Sequence, residues 1–556
     1  GDYRDWQGKS GIGLVTSDLA VGGPVKRDTS SLMLSYRSSY SDWMLDLLKT
    51  RYRGISQGSI RFFDGSLKYT HKIDKWNKLS VSGYTSRDKF SLASDTLNQW
   101  QNIAASARLD RTINENLFAT AELSFGRYSY NVKESDPATA FDLDYVITYP
   151  SLKIDFNHNG TLHKHSFGVQ SIYYSFMPGR LQPASDQTSV VSLTMPKETA
   201  IESALYFGDN FYYNDKLQIE AGVRLSMYNR IGPGRVYHYQ SGEALGRENV
   251  VDSTLYSSFQ NMKTYIGPEP RISLNYVLNL QSSIKIGYNR IFQYVHLISN
   301  SATVTPVDIW QLSNTYFRPQ RSDQVSAGYF HNSKDNKIEL TLEGYYKYQQ
   351  NVLEFKDGAS LILNPQLEAD LLRGRGRSYG VEFTLSKVKG RLNGGLTYTF
   401  SRALRQVNGI YSNEKINEGN WYPSNADQPH VVHFNWNLNI TRRIFFTGNF
   451  LYHTGRPISL ADAGYLINGI PVSNFDERNN YRIPDYHRMD VAFVIEGSNK
   501  KDPKFESSWT FSLYNVYSRR NPYSVFFSDL GGGILKPYQL SLIGSIVPSI
   551  SYNIRF

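Results

Sequence analysis

The stretch Leu217–Met227, LQIEAGVRLSM, decides the fold, because apolar and polar residues alternate along it without a break. Successive side chains of an extended strand point to opposite faces of a sheet. One face of this segment would carry Leu, Ile, Ala, Val, Leu and Met, and the other Gln, Glu, Gly, Arg and Ser. The stretch therefore predicts a β-strand with one apolar side and one wet side.

The same alternation returns in many parts of the chain, for example at Ile338–Tyr348 and Val432–Ile440. The apolar faces are almost free of charge, as expected where Arg or Lys in a bilayer would cost about 2–4 kcal/mol. Aromatic residues such as Trp509 and Phe511 gather at the strand ends, where rings suit the headgroup level. The competing interpretation, a soluble β-solenoid or propeller, requires a repeat of about 20–50 residues, and none is visible. The pattern favours an all-β transmembrane antiparallel barrel.

Composition narrows the classes further. The chain has 556 residues, of which 14% are aromatic and none is Cys, so thiol catalysis, disulfides and Cys-based zinc sites are excluded. Mean hydropathy is −0.44, and no apolar run is long enough for a transmembrane helix. The net charge of +10 is scattered along the chain, which argues against nucleic acid as a partner. The polar start, Gly1–Ser10, leads us to expect that any export signal has been removed.

Loop lengths give a strand count. Short polar turns such as Asn214–Lys216 and Ser333–Lys337 alternate with long loops, as in outer-membrane barrels. With Gly22–Pro24 taken as a turn, ten short turns and a terminal strand predict about 21 strands. Because bacterial barrels have even strand numbers, we expect Gly1 in an external loop and a first strand encoded upstream.

The last residues carry a further signal. Alternation over Ile550–Phe556 predicts a final strand that ends in an aromatic residue. With Tyr552 and Phe556 on one face, this end resembles the signal by which the outer-membrane assembly machinery selects its clients.

Several motifs, in this order, resemble the β-barrel of TonB-dependent receptors, in particular the large branch found in Bacteroidetes. These motifs are SSLMLSYRSSY at 30–40, FMPG at 176–179, PEPRISLNY at 268–276, FRPQRSDQ at 317–324, GRGRSYGVEF at 374–383, DQPH at 427–430 and NVYSRRNPY at 515–523. The resemblance extends over 1–556 and implies one barrel domain of the 22-stranded type in the bacterial outer membrane. It also implies a plug domain and a TonB box, which we expect upstream.

The resemblance implies a function in transport rather than catalysis, without a cofactor. Substrate would bind at the external loops, and the periplasmic protein TonB would pull on the plug to open a path. The cargo would be a scarce nutrient: a siderophore, cobalamin, glycan or peptide. The alternative is a barrel scaffold within a larger outer-membrane assembly, which holds surface lipoproteins or other subunits. A passive porin is a third and less favoured interpretation.

Candidate residues fall into two groups. On the polar strand faces, the candidates for the lumen wall are Glu220, Arg224, Lys285, Glu339, Glu343, Glu382, His433, Asn435, Arg488 and Asp490. In the external loops, aromatic and Arg side chains could bind a ligand or a partner. These loop candidates are Arg235, Tyr237, Tyr239, Tyr256, Trp310 and Tyr316. Packing of loop on loop and simple wetting of the lumen are the alternative roles for these residues.

Histidines offer no clear metal site at the sequence level. His430 and His433 are three apart on a strand and would point to opposite faces. His163 and His165 share a face beside a short turn, but no third ligand is evident. The sequence also shows no phosphate loop, nucleophile elbow or catalytic triad. We therefore predict neither a metal site nor a catalytic site.

Overall fold

A computed structural model describes most of the chain. The described residues are 3–43, 59–91, 96–299, 308–460, 463–467, 470–497, 505–529, 535–541 and 543–556. Within them, no helix is long and apolar enough to cross a membrane.

The architecture is a closed antiparallel barrel of 22 strands in which each strand pairs with its neighbours in the chain. The first half contains β1 Gln7–Gly13, β2 Thr16–Lys26, β3 Ser30–Ser39, β4 Ser59–Lys72, β5 Asn77–Ser91, β6 Thr96–Thr112, β7 Leu117–Glu134, β8 Phe141–Thr148 continued by Ser151–Asn159, β9 His163–Pro183, β10 Glu198–Tyr212 and β11 Leu217–Ile231. The second half contains β12 Asn261–Asn279, β13 Ser282–Gln293, β14 Gln320–Asn332, β15 Ile338–Phe355, β16 Leu371–Lys387, β17 Leu392–Gln406, β18 His430–Asn439, β19 Ile444–His453, β20 Tyr486–Glu496, β21 Glu506–Tyr514 and β22 Val547–Arg555.

Smaller elements lie in the connections. Four short 3-10 helices span Arg247–Asn249, Leu367–Ala369, Ser412–Glu414 and Asn417–Gly419. The loop strands are Leu193–Thr194, Gly234–Tyr239, Val250–Tyr256, Val295–Ile298, Ile309–Leu312, Tyr422–Pro423, Pro457–Ile458, Ala463–Ile467, Ile470–Asn474, Tyr481–Arg482, Ser524–Asp529 and Leu535–Leu540. Apart from Leu193–Thr194 and Tyr422–Pro423, which pair with β9 and β17, these loop strands form two-stranded sheets of their own.

Closure of the barrel corrects the strand count. Strand β1 pairs on one side with β2 and on the other with β22, where Lys9 lies opposite Arg555. The expectation of about 21 strands, with the first one encoded upstream, is therefore wrong. Strand β1, QGKSGIG, was missed because Ile12 is its only large apolar residue, so it shows no alternation.

The Gly22–Pro24 stretch is also not a turn, because it lies inside β2. Proline is tolerated in a strand where the ladder is irregular, and the register with β3 shifts between Pro24 and Lys26. The turn follows at 27–29, where the Asp28 amide donates to the Tyr3 carbonyl at 2.8 Å. The described chain therefore begins beside a short turn and not in an external loop, while Gly1 lies outside the described residues.

The two faces of the wall differ as the alternation predicts. Leu205, Leu225 and Pro268 form one cross-strand row, and both leucines are exposed on the outside. The row Asn210, Glu220 and Ser273 belongs to the opposite, polar face. Apolar groups thus meet lipid, and polar groups line a wet interior.

The largest apolar cluster among the described residues lies inside the barrel, toward its external end. It unites inward residues of β7–β11 with the loop that follows β13, and Tyr228 and Tyr294 stack with ring centroids 4.9 Å apart. Trp310 packs against this cluster, and its carbonyl accepts a hydrogen bond from the Tyr145 hydroxyl at 3.0 Å. The wall and this inserted loop therefore form one packed unit.

Candidate functional site

Three external segments meet over one side of the barrel mouth. The hairpin of Gly234–Tyr239 and Val250–Tyr256 leans on the loop between β15 and β16, where the Tyr239 hydroxyl donates to Glu368 Oε1 at 3.0 Å. Tyr316, from the loop before β14, donates its hydroxyl proton to the Tyr237 carbonyl and meets the Tyr239 ring edge-on. These contacts fix the three segments relative to one another.

A cavity of about 120 Å³ lies between these segments. Arg235, Tyr237 and Tyr316, which were predicted as loop candidates, are among its lining residues. Lys197, Glu198, Arg230, Gln311, Leu367 and Glu368 also line it. The lining thus combines side chains able to form hydrogen bonds with aromatic rings that offer apolar contact.

A larger cavity of about 690 Å³ adjoins the first and shares Tyr316, Phe317 and Glu368 with it. Its wall includes Arg373 and Arg375 at the start of β16. The two cavities together form a polar recess at the external end of the barrel, and we call it the mouth recess.

Some charged side chains of the mouth recess have an ion-pair partner within the described part of the chain, and others have none there. Arg230 lies 3.3 Å from Glu198, and Gln311 donates to the same carboxylate at 3.0 Å. Lys197 and Arg235, in contrast, have no ion pair among the described residues; Arg235 lies 6.0 Å from the ring centre of Tyr237. Lys197 and Arg235 are therefore available to an anionic group.

Burial shapes the acid–base state of the recess. It raises the pKa of the Glu368 carboxyl, which is shielded from water beside the hairpin. The pKa of the Tyr239 phenol is raised by burial and by the neighbouring Glu368 charge. Burial therefore favours the neutral forms of both Glu368 and Tyr239.

Two loop candidates lie elsewhere. Tyr256 is opposite Gly234 in the hairpin and does not belong to the residues that line the cavity. Trp310 packs on the apolar cluster inside the barrel. Sequence reasoning missed Lys197 and Glu368, because the folding of one external loop onto another leaves no periodic signal. It also missed Arg230, which lies near the external end of β11, beyond the alternating stretch Leu217–Met227.

The ten lumen candidates all lie on the polar face of the wall, but in separate groups. A cross-strand row places Lys285 opposite Gly328, Gly328 opposite Glu343, and Glu343 opposite Glu382. Glu339 lies four residues before Glu343 on the same strand face, while Glu220 lies several strands away, opposite Asn210 and Ser273.

A second group joins β18 to β20. His433 bonds to Asn449, which lies directly opposite Asn435 and Asp490. Arg488 pairs with Asp490 at 2.9 Å. This part of the wall is internally neutralised.

Arg224 forms a third group. It contacts Glu202 at 3.5 Å and Glu269 at 3.9 Å, and donates to the Gln170 amide oxygen at 3.2 Å. The Ser226 hydroxyl lies 2.9 Å from Glu269 Oε1 and 2.7 Å from the Tyr294 hydroxyl. Arg224 is therefore tied to the inserted loop through Glu269, which the sequence analysis did not single out.

Comparison with known proteins decides the family. Residues 27–517 match the family described as TonB dependent receptor-like, beta-barrel. The chain belongs to this family. A search of the curated proteins finds no match.

Solved structures of similar fold include two receptors and a transporter. The ferric-catecholate import receptor Fiu of Escherichia coli K12 is 13% identical, with a TM-score of 0.67 over 99% of this chain and 81% of that one. The ferripyoverdine receptor of Pseudomonas aeruginosa is 11% identical, with a TM-score of 0.66 over 100% and 72%. The copper transporter OprC is 10% identical, with a TM-score of 0.64 over 99% and 80%. At these identities, the likeness shows a shared fold.

Membership of the TonB-dependent receptor family places the barrel in the outer membrane, in contact with lipid and in a system that works with TonB. The family consists of transporters rather than enzymes. The assignment to the Bacteroidetes branch stays a prediction.

The end of this receptor barrel lies at the seam of the wall. Phe556 exchanges two backbone hydrogen bonds with Gly8, each 2.9 Å long. Tyr552 lies opposite Trp509, with ring centroids 4.7 Å apart, and on its other side opposite Ile12. Their role as an assembly signal stays a prediction.

Proposed function

We propose that this receptor barrel binds an anionic, scarce nutrient in the mouth recess and forms the outer-membrane wall of an energised importer. Lys197 and Arg235 carry the proposal, since both line the cavity and neither has an ion pair among the described residues. Ferric siderophores carry carboxylate or catecholate oxygens and fit this chemistry best within the group of siderophores, cobalamin, glycans and peptides. The relatives named for ferric-catecholate and ferripyoverdine uptake support this choice.

We further propose that a plug domain fills the lumen and that TonB acts on it. Support comes from the polar row of Lys285, Glu343 and Glu382, in which Lys285 and Glu382 are exposed to the interior and could contact such a domain. The lumen groups at Arg224 and Arg488 would then form the polar wall along the path of the substrate. A barrel this wide is otherwise an open channel.

Binding to the purified protein tests the first step. Ferric-catecholate, ferric-hydroxamate and cobalamin probes are titrated into detergent-solubilised receptor, and quenching of Trp fluorescence is followed. A K197A/R235A variant should bind the preferred ferric chelate at least about tenfold more weakly, because each lost charge contact is worth about 1.5–3 kcal/mol. The matched control is R442A, in the short turn at the other end of the barrel, which should bind as the unaltered protein does.

Uptake tests the second step. A strain that lacks the protein should grow more slowly on the bound chelate as its iron source, and the unaltered gene should restore growth. Equal growth on iron, vitamin and glycan sources would contradict import. Stable association with surface lipoproteins in such a case would support the scaffold role instead.

A further inference from the structure

A row of ligand-type side chains crosses three strands on the outward face, next to the short turn between β8 and β9. His158 lies opposite His165, and His165 lies opposite Asp209. His163 lies two residues before His165 on the same face of β9, opposite Phe211. The row of Phe156, Phe167 and Phe207 is the next one toward the membrane. The histidines therefore lie on the periplasmic side of an aromatic belt, at headgroup level.

The side chains converge on one carboxylate. Nδ1 of His163 lies 2.7 Å from Oδ2 of Asp209, and Nδ1 of His165 lies 3.3 Å from Oδ1. One ligand atom from each of these three residues lies within 4.8 Å of the other two. The His158 ring stacks on His165, with centroids 5.8 Å apart, and is the nearest candidate for a fourth ligand.

Two of these atoms lack a hydrogen-bond partner. His165 Nδ1 and Asp209 Oδ1 are both shielded from solvent, and neither makes a hydrogen bond in the described structure. Shielded polar atoms without partners are rare in folded proteins, because each one loses its hydrogen bonds to water without replacement. Because the nitrogen and the oxygen face each other, a cation between them would satisfy both.

We propose that His163, His165 and Asp209 bind a divalent transition-metal ion of the zinc class, with His158 or water as the fourth ligand. Imidazole nitrogen and carboxylate oxygen are ligands that Zn²⁺ accepts, at about 2.0–2.2 Å from the metal. Ligand atoms of a tetrahedral site with such bonds lie about 3.3–3.5 Å apart, so the 3.3 Å contact fits and the 2.7 Å contact must open by less than an ångström. The bound ion would link β9 to β10 at the periplasmic rim.

Zinc titration of the full-length barrel, produced without a polyhistidine tag and stripped with EDTA, tests this site. Isothermal titration calorimetry in detergent should show one Zn²⁺ per barrel. H165A and the isosteric D209N should each weaken binding at least tenfold, while H331A, at another short turn, should leave binding unchanged. Co²⁺ should give the visible absorption of a tetrahedral site, and this absorption should be lost in D209N.

Heat-modifiable migration on SDS gels shows that each variant forms a folded barrel, so lost binding is not lost folding. Absence of Zn²⁺ binding to the unaltered barrel would overturn the site. Equal zinc affinities of H165A, D209N and H331A would also overturn the site. His163, His165 and Asp209 would then form only a hydrogen-bonded ion pair. Neither result affects the proposal for the mouth recess at the other end of the barrel.

Discussion

Nε of Arg402 lies 3.2 Å from Oδ1 of Asp427, a side chain with no exposed surface. Arg482 pairs with the other carboxylate oxygen, and the Ala403 amide donates to Oδ1 at 2.6 Å. Asp427, the first residue of the DQPH motif, therefore ties β17 to the external segment that contains Arg482. This pairing gives the motif a physical reason: a buried carboxylate is stable only where cations and amide donors surround it.

Loss of the Asp427 carboxylate should destabilise the external half of the barrel. In D427A, Arg402 and Arg482 lose their shared partner, and loss of hydrogen bonds to a charged group costs about 1.5–3 kcal/mol. We expect a clearly lower melting temperature in detergent, measured by differential scanning fluorimetry. D335A removes an exposed partner of Lys337 in a periplasmic turn and serves as the control, with an unchanged melting temperature. Equal melting of both variants would show that the Asp427 cluster does not stabilise the loops.

Acidification should loosen the loop that follows β13. Burial lowers the pKa of His296 to about 4, and its Nε2 lies 2.9 Å from the Ser313 hydroxyl. The pKa of His296 in the folded loop lies below its unfolded value of about 6.5. Neutral His296 therefore contributes its full stabilisation of the folded loop above pH 6.5, and this contribution falls by about 1.4 kcal/mol for each pH unit down to about pH 4.

A cysteine reporter measures this opening, since the chain has no native Cys. L312C places a thiol at a fully buried position of the same loop. A thiol reagent should modify L312C faster at pH 5 than L312C/H296Q at the same pH, and the two rates should agree at pH 7.5. A rate at pH 5 that is independent of residue 296 would contradict the role of His296.

Backbone contact at Gly455 leaves no room for a side chain. A Cβ atom there would lie 1.6 Å from the Ile483 carbonyl oxygen, a backbone atom that cannot rotate away. G455A should therefore cost about 1–3 kcal/mol as an overpacking change and lower the melting temperature. Gly83, where a Cβ would meet nothing within 4 Å, provides the control G83A. If G83A destabilised the barrel as much as G455A, general strand effects and not the Ile483 contact would be responsible.

The sequence predicted the wall well because alternation reports directly which face a side chain occupies. It placed Glu343 and Glu382 on the wet face, and the structure adds that they lie directly opposite each other. The face that each side chain occupies can thus be predicted from the residues next to it in the sequence.

Two kinds of feature could not be predicted. Asp209 reaches His165 across an external connection of 14 residues, from 184 to 197, and a loop of that length does not fix the register of the strands that it joins. The mouth recess combines Lys197, Tyr316 and Glu368 from three separate loops, and such packing has no period. Strand β1 was missed for a different reason, because Ile12 is its only large apolar residue.

The seam between β1 and β22 gives the last prediction. Gly8 and Phe556 exchange both backbone hydrogen bonds, so the next pair, Lys9 and Arg555, is a non-hydrogen-bonded pair with Cα atoms about 4.5 Å apart. Disulfides form at Cα separations of about 4.4–6.8 Å, and the double variant K9C/R555C should oxidise spontaneously in the assembled barrel. In K9C/I554C the second thiol points to the opposite face, so it should stay reduced and react with maleimide. A free thiol pair in K9C/R555C would mean that β22 has another neighbour, and the barrel would then not close through Gln7–Gly13.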